Sequence, residues 1–329
     1  MLIGDNINQR MKNSFSVKIK NSGKLLVSAF NSFLDDRALK MSAALAYYTV
    51  FSLAPLLLTL ISLASLLYGE KAIQGKVFSE INGFVGNDAA LQIQELISKI
   101  SLSEGSTVAI IIGAITLFIG ATGVFVEIQD SINQIWRVKA KPKKGWKKLI
   151  MNRVLSFSMI ISLGFLLIVS LVINGIVLAI SEKLTLYFPD IAVVFVMIIN
   201  TVITFVVISA LFGIIFKFLP DVEIGWKDVR VGAFFTAFLF MVGKFLIGLY
   251  IEKVGPGSAY GAAGSLIVIL VWVYYTSAIL FFGAEFTQVY AELYGGKIQP
   301  ASYAVHIIQT EVEKEVNVLP SQAKEDKKT

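Results

Sequence analysis

The chain contains no cysteine among its 329 residues, which excludes disulfides, thiolate-bound zinc and a cysteine nucleophile. Its single histidine, His306, lies in a polar C-terminal stretch, so neither a histidine-based metal cluster nor a Ser/His triad can be assembled. Charge is also scarce, at 16% of residues, where a soluble domain carries about a quarter. Apolar side chains replace it, at 56% of the chain, and the mean hydropathy is +0.73. Soluble domains hold about 45–50% apolar residues, so the excess has to be hidden in lipid. The composition therefore predicts an all-α, polytopic membrane protein, with no catalytic residue, metal or cofactor identified.

Residues 1 to 22 are polar and basic and lack an apolar segment followed by a cleavage site, so no signal peptide is expected. From Lys24, apolar residues Leu25, Leu26, Ala29, Phe30, Phe33 and Leu34 recur every three to four positions. That spacing predicts an amphipathic helix too short to span, lying on the membrane surface. Six runs are long enough to cross a hydrocarbon core of ~30 Å, which takes about 20 residues. They lie near Met41–Tyr68, Thr107–Gln134, Leu149–Ile180, Ile191–Phe218, Val229–Ile251 and Gly255–Tyr290. A polar connection at 69–105 carries two short amphipathic segments. The expected organisation is thus a cytoplasmic segment with its surface helix at 1–40, a six-helix membrane domain at 41–290, and a flexible tail at 291–329.

Small residues mark the packing faces. In the second run Gly113, Gly120 and Gly123 share a side with Ala109 and Thr116, and in the sixth Gly257, Gly261 and Ser265 fall at spacings of four beside Gly264. Small residues gain nothing against acyl chains but let two helix backbones approach closely. Glu127 and Asp130 continue the small face of the second run, and Glu285 follows Gly283 and Ala284 in the sixth. A carboxylate at such a place needs a cation or a proton, and Arg37 and Lys40 sit at a depth to supply the cation. Lys244 is the one charge well inside an apolar run. These six residues form the candidate functional cluster, read either as a gate or as ion pairs that fix packing. Tyr48, Ser52, Pro55, Thr59 and Ser62 make a further polar stripe along the first run.

Between Arg137 and Arg153 stand eight Lys or Arg and no acid, including Lys139, Lys141, Lys143, Lys144, Lys147 and Lys148. This collar reads as a topological signal and as a candidate site for anionic lipid headgroups, each charge contributing about 1 kcal/mol near an anionic surface. Nucleic acid is not expected, because stacking aromatics are few in the run. Trp136 reads as an interfacial anchor. Basic residues on one side of the six runs outnumber those on the other by eighteen to five, which places both termini in the cytoplasm.

Four stretches resemble one family. ALAYYTVFSLAPLLL (Ala44 to Leu58), ATGVFVEIQDSINQIWRV (Ala121 to Val138), LPDVEIGWKDVRVGA (Leu219 to Ala233) and YGAAGSLIVILVWVYYTSAILFFGAE (Tyr260 to Glu285) are similar to the YihY/virulence factor BrkB family, formerly called ribonuclease BN. The resemblance runs from about Phe30 to Gly295 and implies an integral protein of the bacterial plasma membrane. Its older name implies phosphodiester hydrolysis, which needs paired metals on carboxylates or a histidine acid and base. Neither is present in the sequence. A transporter or lipid-handling, flippase-like protein is the first functional expectation, and a non-transporting envelope scaffold is the alternative; membrane lipids are the expected partners.

Overall fold

The computed structural model describes residues 23–52, 123–141, 189–254, 264–296 and 298–308. Helices occupy 23–35 (α1), 38–52 (α2) and 123–135 (α3). Strand β1, Val138–Ala140, follows α3 directly. Then come α4 (Pro189–Phe218), β2 (Val222–Glu223), α5 (Trp226–Val254), α6 (Gly264–Tyr294), β3 (Gln299–Pro300) and β4 (Ala304–His306). Among the described residues, three helices have the length and composition to cross a membrane, within α4, α5 and α6. They expose large side chains such as Met197, Phe238 and Phe245, which only an apolar solvent accommodates along a whole helix. Of the other expected spans, α2 and α3 are one end each of the first two. The third, the connection at 69–105, Gly113, Gly120, Gly257, Gly261, and Lys143, Lys144, Lys147 and Lys148 lie outside the described residues.

Local sequence fixes the helix ends. Leu219 precedes Pro220, which disfavours helical backbone and stops α4. Lys217, in the last turn of α4, donates from Nζ to the Ile224 carbonyl at 2.6 Å and lies 5.9 Å from the centre of the Trp226 ring. It straps the end of α4 to the start of α5. Asp228 stands in the first turn of α5, where the helix dipole favours an acid, and accepts the Gly296 N–H at 3.2 Å. A β-carbon on Gly295 would overlap that carboxylate, so the start of α5 and the end of α6 meet at a point only glycine permits.

The contact between α5 and α6 is closer still. Thr236 bonds the Gly232 carbonyl at 2.7 Å, and Thr287 bonds the Gly283 carbonyl at 2.6 Å. Each threonine lies over the other helix's glycine, so two Gly-x-x-x-Thr segments interlock. Further along, Gly243 admits the Tyr275 ring; a β-carbon there would lie 2.6 Å from its hydroxyl. Along α5, Ala233 and Ala237 are buried, but Gly248 and Lys244 are exposed. The core at the strand-bearing end of the bundle joins Ile132, Ile135 and Trp136 of the α3 region to Phe216, Leu219 and Phe281.

α1 is amphipathic as expected, but its inner face has a protein partner. Leu25 and Ala29 pack with Phe286 and Val289, and Phe33 meets Phe282 edge-on at 5.6 Å, while Leu26, Phe30 and Leu34 are exposed. The segment after Ala291 also departs from the expected flexible tail. α6 continues to Tyr294; β3 then pairs antiparallel with β2, and β4 with β1 in the register Val138↔His306. Two- and three-residue strands have no periodicity to read in a sequence. Their pairing is set by the turns they join.

Candidate functional site

Two helix ends share one unusual backbone geometry. Arg37 and Arg137 both have φ of 55°, the only non-glycine residues with positive φ among those described. In each case the preceding residue bonds back four positions and the arginine three: Asp36 N–H to Ser32 and Arg37 N–H to Leu34, Trp136 N–H to Ile132 and Arg137 N–H to Gln134. A side chain in this left-handed region costs roughly 1–2 kcal/mol, so something must hold it there. For Arg137 the Ile307 N–H, donating to its carbonyl at 2.7 Å, pins the cap to the C-terminal hairpin.

The two turns bring Asp36 and Arg137 together. Arg137 donates from Nη2 to Asp36 Oδ1 at 2.5 Å, with the Asp36 side chain 6% exposed. Behind this pair lies Glu285 of α6, which is 0% exposed. Among the described residues no N–H or O–H donor reaches either of its carboxyl oxygens. Its neighbour is the carboxyl of Asp36, whose charge acts on it. Two ionised carboxyls cannot bond to each other, so a bond between these two requires a proton on one of them. Burial raises Asp36 above its ordinary 3.8, Arg137 opposes that rise, and Asp35 adds to it.

Trp136 closes the site from the side. It is 3% exposed, and its indole N–H donates to the Ala284 carbonyl at 3.1 Å, beside Glu285. It is therefore a core residue, not the interfacial anchor expected, because the αL cap turns the chain at the residue after it. The expected cluster is corrected in the same way. Glu285 is buried on its packing face, but its cation is Arg137, relayed by Asp36, while Arg37 and Lys40 are exposed. The turn at Asp36–Arg37 sends the acid inward and the base outward, which depth along a helix does not reveal. Glu127 is half-buried next to the exposed Asp130, whose charge acts on it. Lys244 is exposed and lines a shallow cleft with Met241, Phe245, Gly248 and Leu249, roughly 27 Å of helix rise from the start of α5. Lys139 and Lys141 are exposed beside the site, a β-carbon on Gly123 would lie 3.9 Å from Tyr48 Cδ1, and Gly264 is buried. Of the polar stripe in the first run, Tyr48 is exposed and Ser52 buried, and the rest lies outside the described residues.

A second polar centre adjoins the first. Asp221, 2% exposed, accepts Gln129 Nε2 at 3.1 Å and Asn133 Nδ2 at 2.9 Å, and its own N–H donates to Asn133 Oδ1 at 2.8 Å. Its carbonyl accepts the Ala301 N–H at 3.0 Å, and the Tyr303 hydroxyl bonds its carboxylate. Burial first, then the Asp221 charge and hydrogen bond, push the Tyr303 phenol up to about 12. The centre ties α3, the α4–α5 turn and the C-terminal hairpin together. The sequence carried a signal for it, since Gln129 and Asn133 are spaced i, i+4 on one helix face.

Among the described residues no group of three or more His, Asp or Glu side chains is arranged to hold a metal. What the first site offers is two carboxyls buried side by side, with the Arg137 guanidinium on Asp36. Such a site can take up or release a proton, and it can exchange the aspartate for another anion.

A family model described as virulence factor BrkB matches residues 29–306. Curated relatives named UPF0761 membrane protein include one from Pseudomonas paraeruginosa, 28% identical over 77% of this chain and 59% of the relative. One from Vibrio vulnificus is 28% identical over 78% of this chain and 79% of the relative. The chain thus matches about three fifths of the length of the Pseudomonas relative. No solved structure matches.

Proposed function

Taking as premise that this chain belongs to the virulence factor BrkB family of membrane proteins, we propose that it is a transport or lipid-handling protein of the bacterial plasma membrane whose cargo carries an anionic group. Both termini lie in the cytoplasm in this reading, and no catalysed bond cleavage is involved. The observation that carries it is the burial of Glu285 with no donor to either oxygen among the described residues, beside the carboxylate of Asp36 that bonds Arg137. A purely structural ion pair gains nothing from a second carboxyl group, because each buried carboxyl adds a desolvation penalty of several kcal/mol unless it is neutralised. A site that must release its anion does gain: Glu285 holds Asp36 while a phosphate or carboxylate of the cargo takes the guanidinium, whose planar fork suits both. Lys139 and Lys141, exposed next to Arg137, gather anionic headgroups to it.

The test is lipid movement in proteoliposomes. Vesicles holding the purified protein and fluorescent phosphatidylglycerol or phosphatidylcholine are exposed to an impermeant quencher. The reading expects faster loss of phosphatidylglycerol signal than in empty vesicles, and loss of that gain in Arg137→Gln and Glu285→Gln proteins that keep their helical circular dichroism. Wild-type vesicles indistinguishable from empty ones, for labelled lipids and for small organic anions alike, would leave the scaffold alternative. The interlocked Gly232 and Gly283 contacts, which suit a bundle that does not move, favour that alternative.

A further inference from the structure

Glu285, Gln288 and Glu292 are spaced i, i+3 and i+7, so they form one polar stripe down α6 from the buried carboxyl to its exposed end. The lower part of the stripe opens into a cleft of about 260 Å³ lined by Trp136, Val138, Gln288, Glu292, Ile298 and His306 among others. Gln288 Nε2 donates to Glu292 Oε1 at 3.2 Å, and the Glu292 charge is felt at Glu285. His306 closes the opposite wall on β4, directly across from Val138, in the strand whose next residue pins the Arg137 carbonyl. The only histidine of the chain therefore lines a cleft that borders the stripe descending from the buried carboxyl.

We propose that this cleft is the route by which a proton reaches and leaves Glu285. The groups facing Glu285 are Asp36 from the α1–α2 turn with Asp35 behind it, Arg137 from the α3 cap, and Glu292 from its own helix. On release, the Glu285 O–H bond breaks and its proton passes to water in the cleft. It goes on to the Glu292 carboxylate or a His306 ring nitrogen and then to bulk solvent. The charge left on Glu285 faces the Arg137 guanidinium. Uptake runs in reverse, and no electron transfer is involved. Imidazole suits the outer position because one nitrogen can accept a proton while the other gives one up. Trp136 keeps the inner end of the route narrow, and the hairpin supplies both His306 and the hold on Arg137. This deepens the transport reading by naming a proton as the coupled ion and rests on it for its use, though not for its test.

The experiment is infrared spectroscopy of the full chain in a lipid film. The carbonyl stretch of a protonated carboxyl that is present in wild type and missing in Glu285→Gln reports the proton directly, and its shift on transfer to D₂O reports exchange. The band should exchange promptly in wild type and in Phe245→Trp, which alters the other cleft. It should slow by about tenfold or more in His306→Trp, where exchange would then need local opening. His306 is exposed, so the substitution spares the fold, and Gln288→Leu checks the same route from within the helix. Equal exchange in all these proteins, slowing in Phe245→Trp as well, or no Glu285-dependent band would each overturn the proposal. None of those outcomes depends on a transported substrate, so the vesicle assay can succeed or fail separately.

Discussion

Thr287 occupies the space in which a β-carbon on Gly232 would have to sit, and Thr236 does the same to Gly283. Because each threonine also bonds the carbonyl of its own helix's glycine, neither can rotate away without breaking a bond of 2.6 or 2.7 Å. Gly232→Ala should therefore lower the unfolding midpoint in detergent by the equivalent of about 2–3 kcal/mol, the upper range for overpacking, here against a side chain held in place. Gly248→Ala, with nothing near its β-carbon, should be neutral or slightly stabilising. Adding Thr287→Ala to Gly232→Ala should recover part of the loss, a coupling that a double-mutant cycle measures. Equal midpoints for the Gly232 and Gly248 variants would remove the interlock as a source of stability.

Arg137 combines a backbone role and a charge role that two substitutions separate. Arg137→Ala leaves Asp36 buried without its cation and keeps a β-carbon at φ 55°, so a loss of about 3–5 kcal/mol is expected. Arg137→Gly loses the same charge but relieves the left-handed backbone, and should be about 1 kcal/mol more stable than the alanine variant. Chemical denaturation of both proteins checks the order. An alanine variant as stable as the glycine one would mean that the cap is not strained.

Asn133 makes two bonds to Asp221, one from its amide and one to the Asp221 N–H. Removing it in Asn133→Ala strands a buried carboxylate oxygen and a buried amide, at a cost of about 2–4 kcal/mol. The damage should be felt across the hairpin, because Ala301 N–H bonds to Asp221. Hydrogen exchange at Ala301 should accelerate in Asn133→Ala and in Tyr303→Phe. Unchanged protection there would separate the hairpin from this centre.

Asp36 gives a pH dependence of definite sign. Burial raises its carboxyl in the folded chain, so the folded state keeps the proton to higher pH than the unfolded chain, whose ordinary value is 3.8. Its contribution to stability is complete below that value and is lost as pH rises through the higher folded value. Asp36→Asn removes this titrating carboxyl and should flatten the slope of melting temperature against pH on the acid side. A steeper slope in the variant would reverse the assignment.

Length and apolarity made α4, α5 and α6 legible, since a run of twenty apolar residues has little else to be. Their expected starts and ends differ from the observed ones by a few residues at most helix ends. Glu285 was legible too, as an acid beside small residues. Its partners were not. Asp36 and Arg137 are one hundred and one positions apart and meet only because two αL caps turn the chain there, a geometry that glycine normally signals and arginine conceals. The hairpin was illegible for a related reason: its strands are held by Asp221 and Arg137, not by any periodicity of their own.

The orientation can be tested with residues at opposite ends of one helix system. Lys139 is exposed in β1 at the strand-bearing end, and Lys253 is exposed in the last turn of α5, nearly the full length of that helix away. The excess of basic residues around the first end is expected to keep it inside, since Lys and Arg near spans resist translocation. In this cysteine-free chain a single introduced thiol is the sole target of a maleimide. Lys253→Cys should react with a membrane-impermeant maleimide in intact cells, and Lys139→Cys only after permeabilisation. The reverse pattern would invert the topology, and with it the side of the membrane from which Arg137 meets its anion and His306 meets its proton.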